Sequence, residues 1–347
     1  MLKSSSWSSL HAQLHITLRQ RQLLPRSQRL LVAVSGGQDS LCLAKLLLDL
    51  QLKWNWHLGI AHCDHRWRSD SEANANHVEA LAKIWQLPFY KQTADRLLNS
   101  EAAAREWRYR ALSAIAEQND FHYIVTGHTA SDRAETLLYN LIRGSGADGL
   151  QSLTWQRPLT DYLQLVRPLL QFTRAQTGQF CQEMQLPIWE DSTNQDLKYA
   201  RNRIRHNIIP YLQQNFNPQV EQALAQTAEL LQAEVEYLED AARQLLLQAL
   251  EGGSGVEDLD LQSSIPNCLN RIVLRTAPLA LQRRVMRQFI QQTLAIAPSF
   301  DQVEKLTALI AAPNRSRTDP FPGGAIAQVD RDRICLKVNT KNDLHPK

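Results

Sequence analysis

The sequence predicts an α/β fold: a doubly wound parallel sheet followed by a smaller, mainly helical C-terminal domain. Three observations lead there. Apolar runs of strand length alternate with helix-length amphipathic stretches between Arg29 and Val166. Directly after the first run, Ser35-Gly36-Gly37-Gln38-Asp39-Ser40 makes a tight turn that opens a helix. From Asn217 onward the strand signal stops and a helical period takes over. A chain of 347 residues is long for one core. The change of pattern therefore sets two domains, 1–215 and 216–347.

Strands are expected at Arg29–Val34, Trp56–Ala61, Pro88–Gln92, Phe121–Thr126 and Leu163–Val166. Helices are expected at Leu41–Leu52, Ser71–Gln86, Ser100–Gln118 and Asp132–Ile142. A sheet wound this way binds its ligands beyond the carboxyl ends of the strands. In the second domain, Val220, Leu224, Leu231, Val235, Leu238, Ala242, Leu245 and Leu246 recur with helical spacing. Glu251-Gly-Gly-Ser-Gly-Val256 then reads as a flexible joint. Residues 257–312 read as mainly helical, including Leu279–Leu294 and Phe300–Ala312, and Gly323–Val338 as a strand pair.

Each chemistry-bearing cluster follows a strand. In the 35–40 turn, Gly36 and Gly37 can take positive φ and leave no Cβ between the backbone and a phosphate. Converging N–H groups suit an anion, Ser35 and Ser40 add hydroxyls, and Asp39 is the one carboxylate placed to hold Mg²⁺. The spacing is too short for G-x-x-x-x-G-K-[ST] and no Lys lies within the loop, so capture of pyrophosphate fits better than transfer of a terminal phosphoryl group. A Ser/Gly turn that binds nothing is the plain alternative.

After the second strand comes His62-Cys63-Asp64-His65-Arg66-Trp67-Arg68. Its histidine spacing is weak for a metal; purine contact by His62 and anion contact by Arg66 or Arg68 suit it better, against a merely solvated loop. After the fourth strand, Asp132 and Glu135 in Gly127-His128-Thr-Ala-Ser-Asp-Arg-Ala-Glu-Thr136 share one face of a helix's first turn. Such a pair suits a cationic substrate or Mg²⁺; helix capping, with Ser131 as N-cap, competes. Glu190-Asp-Ser-Thr-Asn194 precedes Lys198, Arg201, Arg203 and Arg205, of which Arg201 and Arg205 share a helix face. Phosphate contact and surface salt bridging both account for that run. Arg105 and Arg108 share a face of an earlier helix, so one can serve a nucleotide site while Arg110 stays solvated.

Composition excludes less than it permits. Hydrophobic residues at 44% and charged residues at 21% describe a globular chain. No run approaches the ~18 apolar residues of a membrane span, and the first residues lack the apolar stretch of a secretory signal. The five cysteines (Cys42, Cys63, Cys181, Cys268, Cys335) form no Cys-x-x-Cys pair. Reduced, mostly buried thiols in a cytoplasmic protein are the expectation. A net charge of +3 is too mild to demonstrate a nucleic-acid partner, so local basic clusters must carry one.

The motifs SGGQDS (35–40), HCDHRWR (62–68), AREWRY (104–109), GHTASDRAET (127–136), LIRGSG (141–146), RPLL (167–170) and EDSTN with YARNRIRH (190–206) together resemble the N-type ATP pyrophosphatases, and within them the tRNA(Ile)-lysidine synthase family. The first motif alone is shared with GMP synthetases, asparagine synthetases and thiouridine synthases. The resemblance implies a ligase that uses ATP and Mg²⁺ to join free L-lysine to carbon 2 of the wobble cytidine of the CAU-anticodon tRNA(Ile). Ser35, Gly36, Gly37, Gln38, Asp39, Ser40, His62 and His128 would hold the nucleotide, Asp39 the Mg²⁺, and Asp132 and Glu135 the lysine. Arg105, Arg201 and Arg205 would face nucleotide phosphates or the anticodon backbone. On Leu279–Leu294, helical spacing puts Arg283 and Arg287 on one face that Arg284 borders, a basic stripe opposite Val285 and Phe289 that either contacts the tRNA backbone or is a solvated face. A homodimer stays open. The competing readings are a tRNA thiolase sharing the ATP loop and a non-catalytic tRNA-binding protein.

Overall fold

The structure is a computed structural model that describes residues 7–66, 70–96, 100–189, 195–251 and 267–337. Trp67, Arg68, the Glu190–Asn194 run and the Gly-Gly-Ser-Gly joint lie outside the described residues. In chain order the elements are α1 (Ser9–Gln20), β1 (Arg29–Ala33), α2 (Gln38–Trp54), β2 (His57–Asp64), α3 (Ser71–Ile84), β3 (Phe89–Thr93), α4 (Glu101–Gln118), β4 (Tyr123–Thr126), α5 (Ala130–Ile142), α6 (Ala147–Leu150), β5 (Gln156–Pro158), β6 (Gln164–Val166), α7 (Arg174–Glu183), α8 (Ala200–Arg203), α9 (Ile209–Asn215) and α10 (Val220–Glu251). They continue with β7 (Cys268–Asn270), α11 (Arg271–Arg275), α12 (Leu279–Leu294), α13 (Phe300–Ala308), β8 (Ile326–Asp330) and β9 (Arg333–Lys337). The chain forms two compact units that divide after Gln232, within α10.

The first unit holds a six-stranded sheet of order β3-β2-β1-β4-β6-β5, parallel except for β5. Side chains of successive strand residues point to opposite faces, so a strand covered on both sides reads as continuously apolar. β1 shows this directly: Leu30 and Val32 join the core on one face, with residues of α1, α2, α3 and α7, while Leu31 joins the core against α4. β4 and β6 repeat the split, with Val125 and Val166 on the first face and Ile124 and Leu165 on the second. Each such fully buried side chain is worth about 1.5–3 kcal/mol. The chain winds outward from β1 through β2 to β3 and then returns to β4 on the other side of β1. The loops after β1 and β4 therefore diverge at a topological switch point, where such sheets bind ligands.

Helix α7 falls in a stretch with little apolar periodicity. It is set by a capping box instead: the Thr173 hydroxyl accepts from the Gln176 N–H, and the Gln176 side chain accepts from the Thr173 N–H.

The second unit has its own core. Ala242, Leu246 and Ala249 of α10 pack with Val285, Met286 and Phe289 of α12, Leu306 of α13, and Leu269, Val329, Ile334 and Leu336 of a three-stranded antiparallel sheet. Two expectations change here. Cys268 and Cys335 are not free thiols: they stand directly opposite each other on β7 and β9, with Cα atoms 4.0 Å apart, and are joined as a disulfide. No spacing rule could reveal this, because 67 residues separate them and only strand register brings them together. The stripe of Arg283, Arg284 and Arg287 is also not an open basic face. Arg283 pairs with Glu304 through Nε at 2.6 Å and Nη2 at 2.9 Å, and Arg284 and Arg287 both pair with Glu239. These cations serve the unit's own structure first.

With Cys42, Cys63 and Cys181 free, thiol titration of the denatured, unreduced protein should find three reactive groups, and five after reduction. Five before reduction would exclude the Cys268–Cys335 bond.

Candidate active site

The loop after β1 is built as its residues require, with one difference. Gly36 sits at φ +88°, and a Cβ there would collide with the Asn74 side-chain oxygen. Gly37 is in the extended region at φ −77° and serves as the N-cap of α2, so only one of the two glycines uses a left-handed backbone. The two serines brace the turn: Ser40 Oγ donates to the Gly37 carbonyl at 2.8 Å and lies 3.1 Å from Ser35 Oγ. The Gln38 amide turns onto α7 and donates to the Arg174 carbonyl at 2.6 Å and to Thr177 Oγ1 at 2.8 Å. Its side chain thus positions α7 against the loop.

Asp39 opens α2, where the helix dipole favours a carboxylate. Its oxygens accept from the Thr177 hydroxyl and from Arg174 Nη2 at 3.0 Å. Across the switch point, Gly127 lets the exit of β4 approach closely; a Cβ there would lie 2.8 Å from the Asp39 carbonyl oxygen. Helix α5 begins at Ala130, two residues earlier than a Ser131 cap would place it: the N-cap is Thr129, in a capping box with Asp132. One oxygen of Asp132 accepts from the Thr129 N–H at 2.8 Å, and the other faces Arg201 Nη2 at 3.0 Å and Arg174 Nη2 at 3.4 Å. Capping and charge binding are therefore two halves of one carboxylate.

Glu135, one turn on, is 1% exposed. It is gripped by Arg205 through Nε at 2.6 Å and Nη2 at 2.9 Å, and by Arg201 Nε at 2.8 Å. Arg201 belongs to α8 and Arg205 to the π-helical turn Ile204–Ile208 that joins α8 to α9. Pro210, which has no N–H to donate, sits in the first turn of α9. A wider turn at that point is a common feature of functional sites. Here Arg201, just before it, and Arg205, within it, both reach the Glu135 carboxylate.

Three carboxylates and three guanidiniums thus meet at the carboxyl edge of the sheet. Burial alone would raise Asp132, but Arg201 and Arg174 outweigh it and hold the carboxyl well below its usual range. Asp39 goes the other way: burial, reinforced by the charge of Asp132, raises it against Arg174 and Thr177. A carboxylate placed at this loop is a fitting donor for a divalent cation, since Mg²⁺ commonly takes one or two carboxylates plus substrate phosphates. His62 is also buried; its Nδ1 donates to the Val34 carbonyl at 2.8 Å, and burial lowers its pKa. His128 is lowered to about 3 by burial, opposed by Asp132 and reinforced by Arg167, Arg201 and Arg105.

The structure therefore brings Asp39, Asp132, Glu135, Arg201 and Arg205 into one network, with the Ser35–Ser40 loop and His128 beside it. Arg105 stands apart, against Tyr109 on α4. Arg108 instead binds His65, with Nη2 3.0 Å from its Nε2. Arg203 binds the Leu197 and Lys198 carbonyls, and Lys198 pairs with Asp196. Arg174 and Thr177 were not singled out from the sequence. The Thr173-x-x-Gln176 capping box was the available signal, since it puts Arg174 in the first turn of a helix that follows β6. Among the thiols, Cys42 and Cys181 are buried, and the Cys42 thiol is pushed up by its hydrogen bond to Cys181 and by burial. Such thiols are inert, which disfavours sulfur chemistry.

Fold and loop together define a PP-loop domain, and that family matches residues 10–212. The TilS substrate binding domain matches residues 269–335. A tRNA(Ile)-lysidine synthase from Nostoc sp. is 69% identical over 95% of this chain and 97% of its own length. One from Synechocystis sp. is 50% identical over 94% and 97%. Among solved structures, the U34-tRNA thiolase NcsA from Methanococcus maripaludis superposes with a TM-score of 0.54 at 16% identity, covering 64% of this chain and 78% of that one, a likeness of fold. The chain belongs to the tRNA(Ile)-lysidine synthase family.

Two outcomes follow from the network. Glu135→Ala leaves Arg201 and Arg205 facing each other without their shared counterion and should destabilise the protein by about 3–5 kcal/mol, read from urea unfolding at pH 7. An unchanged midpoint would mean the pairing carries no stability. His128 should stay neutral well below its usual 6.5, since its folded value is about 3. The unfolded chain takes up the proton first, so this residue's contribution to stability is complete above pH 6.5 and is lost as pH falls toward 3. Side-chain ¹⁵N shifts read its charge directly; an imidazolium at pH 6 would contradict the burial argument.

Proposed function

We propose that this chain ligates free L-lysine to carbon 2 of the wobble cytidine in the CAU anticodon of tRNA(Ile), with ATP as activator, and that it works in the cytoplasm. The observation that carries the reading is the single guanidinium of Arg174 lying 3.0 Å from Asp39 and 3.4 Å from Asp132. Nucleotide activation and amine binding then occur within one residue's reach, as a two-step ligation requires. The names of the relatives and the match to a substrate binding domain in the second unit support a tRNA substrate.

In the first step the carbon-2 oxygen of cytosine attacks the α-phosphorus of ATP, the α–β bond breaks and pyrophosphate leaves. The Ser35–Ser40 loop offers backbone N–H groups and hydroxyls to the departing group, with Gly36 allowing close approach. Mg²⁺, held at Asp39, would neutralise charge on the ATP phosphates. In the second step the ε-amine of lysine attacks carbon 2, a carbon–nitrogen bond forms, and AMP leaves with the former carbon-2 oxygen. Asp132 and Glu135 would hold the lysine, with Arg201 and Arg205 fixing both carboxylates in place. The site residues named here come from one chain, so the reading does not depend on a homodimer.

Incubation with ATP, lysine and unmodified CAU-anticodon tRNA, followed by nucleoside mass analysis, should reveal lysidine; its absence would overturn the proposal. Asp39→Asn should slow tRNA-dependent pyrophosphate release by about 100-fold or more with tRNA binding nearly unchanged. Asp132→Asn keeps an acceptor for the helix cap but loses the charge. It should raise the lysine concentration required while adenylation persists, with a cost of about 2–5 kcal/mol in lysine binding. Loss of adenylation with unaltered lysine use would reassign Asp132 to the metal.

A further inference from the structure

Beside the carboxylate network lies a second charged cluster with the opposite character. Tyr109 on α4 carries two guanidiniums over its ring, with Arg105 Cζ 5.6 Å and Arg157 Cζ 5.1 Å from the centroid. Arg167, immediately after β6, completes the group. It is 2% exposed, its Nη1 donates to the Thr154 carbonyl at 2.7 Å, and its backbone N–H donates to the Trp155 carbonyl at 2.8 Å. These bonds tie it to the residues leading into β5, the strand that carries Arg157, which is in register with Leu165 of β6. Arg167 Nε is buried without a hydrogen-bond partner. No Asp or Glu among the described residues pairs with Arg105, Arg157 or Arg167. Burial pushes the Tyr109 phenol up, yet Arg167, Arg105 and Arg157 together hold it below its usual range, so three cations act on one small volume.

Like charges brought together in a partly buried place repel unless an anion joins them. Three guanidiniums around one hydroxyl match the oxygens of a phosphate group. Two sources of phosphate exist in the proposed reaction, ATP and the tRNA backbone. The position favours the backbone. The pyrophosphate loop opens α2, which packs on one face of the sheet, whereas Tyr109, on α4, packs with the core of the opposite face. His128 senses both sides, with Asp132 opposing and Arg167 and Arg105 reinforcing its low pKa, so the cluster borders the reacting groups.

We propose that Arg157, together with Arg105 and Tyr109 and backed by the buried Arg167, forms a binding site for a backbone phosphodiester of the tRNA close to the nucleotide being modified. This rests on the tRNA reading above. Phosphate contacts of this kind set register without reading sequence. The site would therefore fix where the anticodon lies relative to the switch point, leaving discrimination of the base to other groups.

The test uses the full chain and measures tRNA binding without ATP or lysine across a series of salt concentrations. Arg157→Ala should weaken binding roughly tenfold, equally for the CAU-anticodon tRNA and a mismatched tRNA, and should reduce the log–log salt slope by about 0.7–0.9, the signature of one phosphate contact. Arg157→Lys, which keeps the charge, should restore most of the affinity and the slope. Tyr109→Phe keeps the ring beneath both guanidiniums and should weaken binding less than Arg157→Ala does. In pyrophosphate release, the KM for tRNA should rise in Arg157→Ala while those for ATP and lysine stay put. Wild-type affinity and slope in Arg157→Ala would overturn the proposal. So would a raised KM for ATP with tRNA binding intact, which would hand the cluster to the nucleotide. If the wild-type chain binds tRNA with this Arg157 dependence but forms no lysidine, the phosphate site stands and the proposed reaction falls.

Discussion

Arg174 holds together two carboxylates that belong to different strand ends. Asp39 arrives on the loop after β1 and Asp132 on the helix after β4, and the sheet separates these at its switch point. Two acidic side chains so placed would repel and would tend to take up protons, because a low-dielectric site disfavours uncompensated charge. The guanidinium between them offsets that at Asp132, which is held low, and only in part at Asp39, which burial still raises. It also defines the arrangement in which a nucleotide and a cationic substrate meet. Much nearby detail serves this contact: the Gln38 amide donates to the Arg174 carbonyl, Ser131 accepts from the Arg174 N–H, and the Thr177 hydroxyl donates to Asp39.

The same logic extends outward through Glu135. Arg201 and Arg205 together satisfy both of its oxygens, and Arg201 also reaches Asp132. A bidentate guanidinium is directional as well as strong. Arg205 reaches Glu135 from the π turn between α8 and α9, and Arg201 from the α8 turn before. The network is thus charge-balanced and geometrically determined, which is the state a site needs before binding energy can be directed at reacting atoms.

In the second unit, cations have a different use. Glu239 gathers Arg284, Arg287 and the Gln288 amide, and Glu304 takes Arg283, so an apparently basic helix face is internally paired. The contrast with Arg105, Arg157 and Arg167 is instructive. Counting arginines along helices finds Arg105 as readily as Arg283, Arg284 and Arg287, but only the neighbours in space distinguish a structural cation from one still able to take a phosphate.

How much was legible in the chain follows from the range of the forces involved. Strands β1, β2, β3, β4 and β6 and helices α2 to α5 were readable because burial on two faces and amphipathic period write themselves into consecutive residues. The pyrophosphate loop was readable for the same reason: strand, Gly-rich turn and helix are contiguous, and Asp39 is placed by the turn itself. The Asp132–Glu135 pair followed from helical spacing. Three things were decided only by the tertiary structure. Arg174 reaches Asp39 from 135 residues away, Cys335 meets Cys268 across strand register, and the carboxylates that neutralise Arg284 and Arg287 come from another helix. Local sequence carries backbone conformation and burial, which are properties of neighbours along the chain. Partner choice among charged and sulfur-bearing side chains depends on distances that exist only once the sheet and helices have packed.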